Sequence, residues 1–192
     1  MAATGTKAKP AQGGGRPAAA VELAPQGVLA ATLQGRNAAA VFAFEALSAG
    51  ALTPALTETN VQRPETVAAA IRTALDAVAP RTRAVTLVLP DTAVRVFVLD
   101  FDSLPSNAAE ILEVLRFRLR KMVPFEVERA GVSFQILSTS KQESRVLVAT
   151  MAAPVLEEYE SAVRAAGYEP GAVLPAGLAA LAGLQGEEPV LA

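Results

Sequence analysis

The sequence predicts a mixed α/β fold in which a small strand–helix–strand–strand–helix module is inserted into a larger unit. Three apolar segments of strand length, at 18–24, 27–33 and 38–47, are separated by Pro, Gly and Asn, a pattern typical of an antiparallel meander. Next come a segment whose apolar residues repeat with helical spacing and a continuous apolar run. The five elements of the module then occupy residues 92–168. With 52% hydrophobic and 19% charged residues, the 192-residue chain can bury such a core.

Composition excludes several classes of chemistry. The sequence has no Cys, His or Trp, which rules out disulfides, zinc sites built on Cys or His, and Ser-His-Asp or Cys-His catalysis. The net charge of −2 gives no overall attraction to nucleic acid or to an anionic membrane. No apolar stretch reaches the ~18 residues of a spanning helix, and no secretory signal follows the basic N-terminus. We therefore expect a cytosolic protein.

The larger unit begins after residues 1–17, which carry no acidic residue and too little apolar surface to order, so we expect a disordered tail there. A helix is predicted from Pro64, which suits a first helical position, to the residue before Pro80. The run 84–89 is typical of a strand buried on both faces. After the module, a short strand and a helix at about 176–184 are expected. The helix starting at Pro64 has an apolar stripe made of Val67, Ile71, Leu75 and Val78.

The inserted module is predicted element by element. A strand at 94–101 precedes a helix that Asn107 and Glu110 open with capping-box spacing and that runs to about Met122. Two strands, 132–137 and 145–152, are joined by a polar turn, and Pro154 opens a helix that ends at Gly167. The first helix has the apolar stripe Leu112, Leu115, Leu119 and Met122, and the second has Leu156, Tyr159 and Val163.

Three short motifs are weak signals. Ser138 and Lys141 match the S-x-x-K pattern of penicillin-recognising enzymes, but they fall in the polar turn rather than at a helix N-terminus. The triple glycine at 13–15 lacks the Gly-Lys-Ser/Thr ending of a phosphate loop. Asp91, Asp100 and Asp102 fit carboxylates at strand ends better than a metal site, because no further ligand completes one.

The middle of the chain resembles the PilM family of type IV pilus assembly proteins, which are similar to the division protein FtsA. The resemblance extends from about residue 18 to the end and is most specific between 85 and 170. It is carried by Leu104-Pro105, by Met122-Val123-Pro124-Phe125, by the strand beginning Val132-Ser133-Phe134, and by Ala166-Gly167-Tyr168-Glu169-Pro170.

The resemblance implies an actin-like, ribonuclease-H-like fold. The first actin-like subdomain would comprise 18–91 and 169–188, and the inserted module would comprise 92–168. Residues 189–192 would begin a second actin-like domain that is missing from this chain. PilM-like proteins are cytosolic, ring-forming components that reach the inner membrane only through a partner, the N-terminal peptide of PilN. The peptide lies in a groove between the first subdomain and the inserted one. We therefore expect peptide binding and self-association, and no nucleic-acid partner.

The expected phosphate loop departs from the family pattern. In the resemblance, the strand and turn that cradle phosphate fall on residues 20–29. An aspartate has become Glu22, a glycine has become Ala24, Pro25 removes a backbone donor, and a lysine has become Leu29. The positions that remain of the loop are Glu22, Ala24, Gln26 and Gly27, and we expect them to be inactive. ATP and Mg²⁺ are family cofactors that we do not expect here, and we expect no enzyme activity.

The basic end of the module's first helix is the candidate partner surface. A solvated basic face is the simpler interpretation. The alternative is an apolar groove with an arginine rim, which would suit an extended peptide with apolar anchors. The residues assigned to that groove are Phe101, Leu104, Arg116, Phe117, Arg120 and Phe125.

Two rival functions stay open from the sequence. One is a working actin-like ATPase similar to FtsA, and the other is the L-type cytosolic subunit of type II secretion.

Overall fold

The computed structural model describes residues 17–33, 40–140 and 143–183, which form two β-sheets and four α-helices. The strands and helices lie, in chain order, at β1 (Ala19–Ala24), β2 (Gly27–Leu33), β3 (Ala40–Ala46), α1 (Pro64–Val78), β4 (Ala84–Leu89), β5 (Arg95–Phe101), α2 (Ala108–Leu119), β6 (Gly131–Thr139), β7 (Ser144–Met151), α3 (Ala153–Ala165), β8 (Glu169–Pro175) and α4 (Ala176–Gly183). The predicted elements are all present, with boundaries that shift by a few residues at most.

The larger sheet has five strands in the order β3-β2-β1-β4-β8. The first three strands form the predicted antiparallel meander, while β4 pairs in parallel with both β1 and β8. The β1–β2 connection is a two-residue hairpin turn of Pro25 and Gln26, since Ala24 pairs with Gly27. Five of the six residues of β4 are buried, as expected for a strand covered on both faces.

Helix α1 contributes its apolar stripe to the core of this sheet. All four predicted stripe residues are buried, and alanines at 68, 70 and 74 extend the buried surface and let the helix lie close to the strands. The helix begins with Pro64 at its first turn and ends where Ala79 takes a left-handed conformation before Pro80. The sequence therefore predicted both ends of α1 through proline geometry.

The smaller sheet has three strands in the order β5-β7-β6 and carries α2 on one face. Its own hydrophobic cluster is separate from that of the larger sheet. The predicted stripe of α2 is partly wrong: Leu115 and Leu119 are buried, but Ile111 is the third buried residue. Leu112 is only half-buried, and Met122 is exposed because the helix ends at Leu119 and the chain turns before Met122.

Helix α3 belongs to the larger unit, which corrects the boundary of the inserted module at 92–168. Its buried residues Val155, Tyr159 and Val163 lie in the same cluster as the α1 stripe. The physical reason is topological, because β4 and β8 are adjacent parallel strands and need a crossover connection. Helix α3 supplies that crossover, so the inserted part is β5-α2-β6-β7.

Several predictions fall on residues outside those described. These are the disordered tail up to residue 16, the turn around 35–37, Lys141 of the S-x-x-K pattern, the last residue of the 176–184 helix, and the assignment of 189–192 to a second domain. Within the described segments, no helix has the length and apolar character needed to cross a membrane.

Candidate functional site

A cleft lies between the two sheets, and we call it the intersheet cleft. It encloses about 210 Å³ and is almost entirely apolar. Strands β4, β6, β7 and β8 and helix α3 all contribute to its walls. The lining residues are Leu89, Val94, Gly131, Val132, Ser133, Ala149, Thr150, Met151, Leu156, Val173 and Pro175. The two sheets come from different parts of the chain, so the cleft exists only because the module is inserted between β4 and α3.

The hydroxyl of Thr150 is an unsatisfied polar group in this apolar setting. Thr150 is 1% exposed, and among the described residues its Oγ1 has no hydrogen-bond partner. Its strand, β7, is central, and Thr150 lies between Arg95 of β5 and Val132 of β6. A buried hydroxyl without a partner costs about 1–3 kcal/mol. The Oγ1 atom itself has almost no accessible surface, so it does not face the cleft and a ligand there would not reach it.

Two edge strands border the cleft, which suits an extended ligand. Strand β6 is an edge of the three-stranded sheet and β8 is an edge of the five-stranded sheet. An edge strand presents backbone N–H and C=O groups that have no neighbouring strand. A peptide in extended conformation can pair with such groups and place alternate side chains in an apolar pocket.

An exposed sheet face continues outward from the cleft. Along β5 and β7, side chains alternate between the face that packs on α2 and the opposite face. On that opposite face, Val96 and Val98 of β5 lie beside Ala149 and Leu147 of β7. Val98 is 54% exposed there. At the far end, Arg145 donates from Nε to Asp100 at 2.8 Å, and this partner raises the pKa of Arg145. The face offers apolar contacts beyond the cleft itself.

The six partner residues predicted from the sequence do not line the intersheet cleft. Phe101 and Leu104 pack against the cluster beneath α2, whereas Phe125 packs against the core of the five-stranded sheet. Phe125 therefore packs in a different cluster from Phe101 and Leu104, and the assignment of all six residues to a partner surface stays a prediction. Sequence reasoning assigned no partner-binding role to any residue of the cleft.

Arg116 of α2 and Arg120, which directly follows the helix, have partners within the module. Arg116 donates from Nη1 to the carbonyl of Val127 and from Nη2 to that of Ala130, the latter at 3.1 Å. It therefore fixes the segment before β6. Arg120 pairs with Glu128 at 2.6 Å and lies 6.0 Å from the ring centroid of Phe117. The backbone hydrogen bond of Glu128, followed by Arg120, lowers the pKa of that carboxyl group.

The predicted phosphate-loop positions form a closed hairpin. Glu22 is half-buried on β1, Gln26 is exposed in the turn, and Ala24 pairs directly with Gly27. A Cβ atom on Gly27 would meet the ring of Phe44 and the carbonyl oxygen of Glu45. The glycine at this position is thus needed for strand packing. The turn itself holds a proline and a glutamine rather than a series of backbone donors.

Two of the three remaining acidic candidates have structural partners, and the third, Asp102, is exposed. Both carboxylate oxygens of Asp91 accept the backbone N–H of Gly177 at 3.0 Å, and Asp100 pairs with Arg145. Within the described residues, no group of three or more acidic side chains is placed to hold a metal ion.

Comparisons with known proteins identify the fold. The chain matches no protein-family model and no curated protein. It is similar to a solved chain of a PilM-PilN type IV pilus biogenesis complex, with a TM-score of 0.75 and 22% identity over 86% of this chain and 49% of that chain. It is also similar to the cytoplasmic domain of EpsL, an inner membrane component of the type II secretion system of Vibrio cholerae. That match has a TM-score of 0.51 and 15% identity, over 82% of this chain and 56% of that chain.

The chain therefore has a mixed α/β fold of the actin-like class, as the sequence predicted. More particularly, its fold is that of the matched part of a chain from the PilM-PilN complex, which confirms the resemblance to PilM-like proteins at the level of fold. The chain spans about half the length of each matched structure, 49% in one case and 56% in the other.

Proposed function

We propose that this chain is part of a cytosolic platform that binds the N-terminal peptide of a PilN-like inner-membrane protein in the intersheet cleft. It would associate with the membrane only through that partner. The observation that carries the proposal is the apolar intersheet cleft bordered by two edge strands. Its fold likeness to a chain of a PilM-PilN complex supports this choice of partner.

A peptide titration with cleft variants tests this proposal. The probe is a fluorescently labelled synthetic peptide with the N-terminal residues of a PilN-like protein, and binding is read from anisotropy. Val173→Asp places a charge in the apolar cleft, so we expect binding to weaken at least tenfold. Ala149→Trp fills the cleft and should abolish binding. Equal affinity of the wild-type chain and both variants would refute the cleft as the site.

Thr150→Val tests stability apart from binding. Replacing an unsatisfied buried hydroxyl with a methyl group should stabilise the free chain by about 1 kcal/mol or more. The Oγ1 atom has almost no accessible surface, so peptide affinity should not change. Thr139→Val, a matched change at an exposed position, should alter neither property. The pair Arg120→Glu and Phe125→Ala, outside the cleft, should leave peptide affinity unchanged.

We further propose that binding requires no ATP hydrolysis and that the chain is not an enzyme. The closed Pro25-Gln26 hairpin, with Gly27 packed under Phe44, supports this. Titration of the chain with fluorescent ATP and Mg²⁺ should give no saturable signal at micromolar concentrations. Micromolar binding that Gln26→Ala reduces would favour the rival ATPase. The likeness to the EpsL domain favours the secretion subunit as second candidate, and preference for a type II secretion peptide over the PilN-like peptide would support it.

A further inference from the structure

The two edge strands of the intersheet cleft differ in the backbone groups that they can offer to an extended peptide. Strand β8 contains Pro170 and Pro175, which have no N–H to donate. Its register against β4 also shifts at Gly171, which lies between the paired residues Pro170 and Ala172. A Cβ atom on Gly171 would be 3.0 Å from Pro17 Cγ, so the segment before β1 lies against this part of β8. Strand β8 is therefore a poor template for a further strand.

Strand β6 has the regular edge that β8 lacks. It is 9 residues long, contains no proline, and pairs residue by residue with β7 from Gly131 to Ile136. In an antiparallel pair, every second residue directs its N–H and C=O away from the partner strand. Within the part of the chain that the structure describes, no further strand lies beyond β6 to pair with these groups. The first three residues of β6 also line the cleft, so a peptide in the cleft can reach this edge.

Arg116 of α2 holds the turn that directly precedes β6. Its Nη1 and Nη2 atoms donate to the carbonyls of Val127 and Ala130, respectively. The N–H of Ala130 donates to the same Val127 carbonyl at 3.2 Å. Val127 and Ala130 are both buried, so water cannot readily replace these hydrogen bonds. The planar guanidinium binds both carbonyls at once, a geometry that a lysine ammonium does not reproduce.

The next residue along the chain contacts the larger unit. Gly131, the first residue of β6, lies so close to α3 that a Cβ atom on it would be 2.9 Å from Leu156 Cδ2. Both residues line the cleft. The start of β6 is therefore held between Arg116 on one side and α3 on the other. A paired strand must lie about 4.8 Å from β6, and a displaced turn would not keep the space for it.

We propose that the bound peptide pairs as an added strand with β6 rather than with β8, and that Arg116 is the positioning residue for this edge. The inference rests on the proposed peptide function and adds the strand that receives the peptide. The peptide backbone supplies hydrogen-bond partners for β6, and alternate peptide side chains enter the apolar cleft. Arg116 is not among the residues that line the cleft. It acts through the carbonyls of Val127 and Ala130 and does not touch the peptide.

Amide hydrogen exchange, read by NMR with and without the PilN-like peptide probe, tests the choice of strand. Peptide binding should slow exchange at least tenfold at alternate residues of β6 and should leave residues 172–174 of β8 unchanged. The ligand offers a matched test, because N-methylation of a single peptide amide removes its donor. N-methylation should weaken binding at every second peptide position and have little effect at the positions between. Slower exchange in β8 without any change in β6 would overturn the proposal.

Variants of Arg116 test its positioning role. Arg116→Met removes both hydrogen bonds to the turn, so it should weaken peptide binding at least tenfold and remove the alternating effect of N-methylation. Arg116→Lys keeps the charge and should give an intermediate affinity; it decides the matter alone if the Met variant does not fold. Arg118→Met, at an exposed position of the same helix, is the control and should bind as the wild type does. A merely structural role would lower stability in urea but keep the alternating N-methyl pattern.

The outcomes distinguish this inference from the proposed function. If the wild-type chain bound no peptide, both would be refuted. If Ala149→Trp abolished binding while the β6 amides kept their exchange rates in the wild-type complex, only the choice of strand would be refuted. Wild-type affinity in both Arg116 variants, with β6 protected, would refute the positioning role.

Discussion

At the scale of single residues, two buried tyrosines connect distant parts of the larger unit. The hydroxyl of Tyr159 on α3 donates to Asn60 Oδ1 at 2.9 Å, and that of Tyr168 before β8 donates to Asp76 Oδ1 at 2.6 Å. The guanidinium of Arg83 lies 4.7 Å from the Tyr168 ring centroid. Burial raises the pKa of both tyrosines, and burial followed by the Asp76 carboxylate raises that of Tyr168 to about 12.

The raised pKa of Tyr168 predicts a loss of stability in alkali. The ordinary tyrosine pKa is 10.0, so the unfolded chain ionises first and binds fewer protons than the folded chain above that pH. The stabilising contribution of Tyr168 is complete below about pH 10 and is lost as the pH rises towards about 12. In urea unfolding from about pH 8 to about pH 12, Tyr168→Phe should therefore lose less stability than the wild-type chain.

A control separates this effect from general alkaline destabilisation. Phe125→Leu should lower stability at all pH values without changing the pH slope, because it removes no titrating group. If the curves of Tyr168→Phe and the wild-type chain stay parallel throughout, the hydroxyl does not contribute in the way its burial indicates.

At the scale of elements, the β1–β2 hairpin depends on one glycine. Gly27 lies where the Phe44 ring crosses from β3, and a Cβ atom there would be 2.5 Å from the carbonyl oxygen of Glu45. Because one of these neighbours is backbone, the sheet cannot relieve the overlap by moving a side chain alone. The position that the family resemblance assigned to phosphate binding has a packing role in this structure.

Gly27→Ala should therefore destabilise the chain by about 1–3 kcal/mol in urea unfolding. Combining it with Phe44→Ala relieves the ring overlap but not the carbonyl overlap, so the double variant should lose less than the sum of the two single changes. Phe42→Ala, on the same strand but away from Gly27, should combine additively with Gly27→Ala. Full additivity with Phe44→Ala would show that the ring is not the neighbour that requires glycine.

The elements themselves were largely predictable, because proline, glycine and hydrophobic period act locally. Pro64 and Pro80 bounded α1, and Asn107 capped α2 by accepting the backbone N–H of Ala109 at 2.9 Å. The sequence did not predict that Ile111 would be buried in place of Met122, because it does not show where α2 ends before Pro124.

The placement of elements and of the candidate site was not predictable in the same way. The apolar face of α3 suits either sheet, and only the parallel pairing of β4 with β8 assigns it to the larger unit. The intersheet cleft combines residues of β4, β7 and β8 that are far apart in sequence. Such a cleft arises from topology, whereas the sequence pattern by itself points only to the basic end of α2.

At the scale of the whole molecule, two hydrophobic clusters are joined where β5 and β7 leave the larger unit. One cluster holds α1, α3 and the five-stranded sheet, and the other holds α2 and the three-stranded sheet. The chain enters the inserted part at Arg95 and leaves it near Thr150, and these residues pair across adjacent antiparallel strands. Entry and exit are thus about 5 Å apart, which a tight turn can close.

Removal of the inserted part should consequently leave a folded unit. Replacing residues 97–148 with Asn-Gly joins Val96 to Ala149, which already lie opposite each other, through a two-residue hairpin turn. We expect cooperative urea unfolding with an m-value roughly a quarter smaller, in proportion to the surface removed. The shortened chain should bind no PilN-like peptide, because it lacks one wall of the intersheet cleft. If the shortened chain showed no cooperative transition, the two clusters would have to stabilise each other. The cleft would then lie within one continuous core rather than between two independent units.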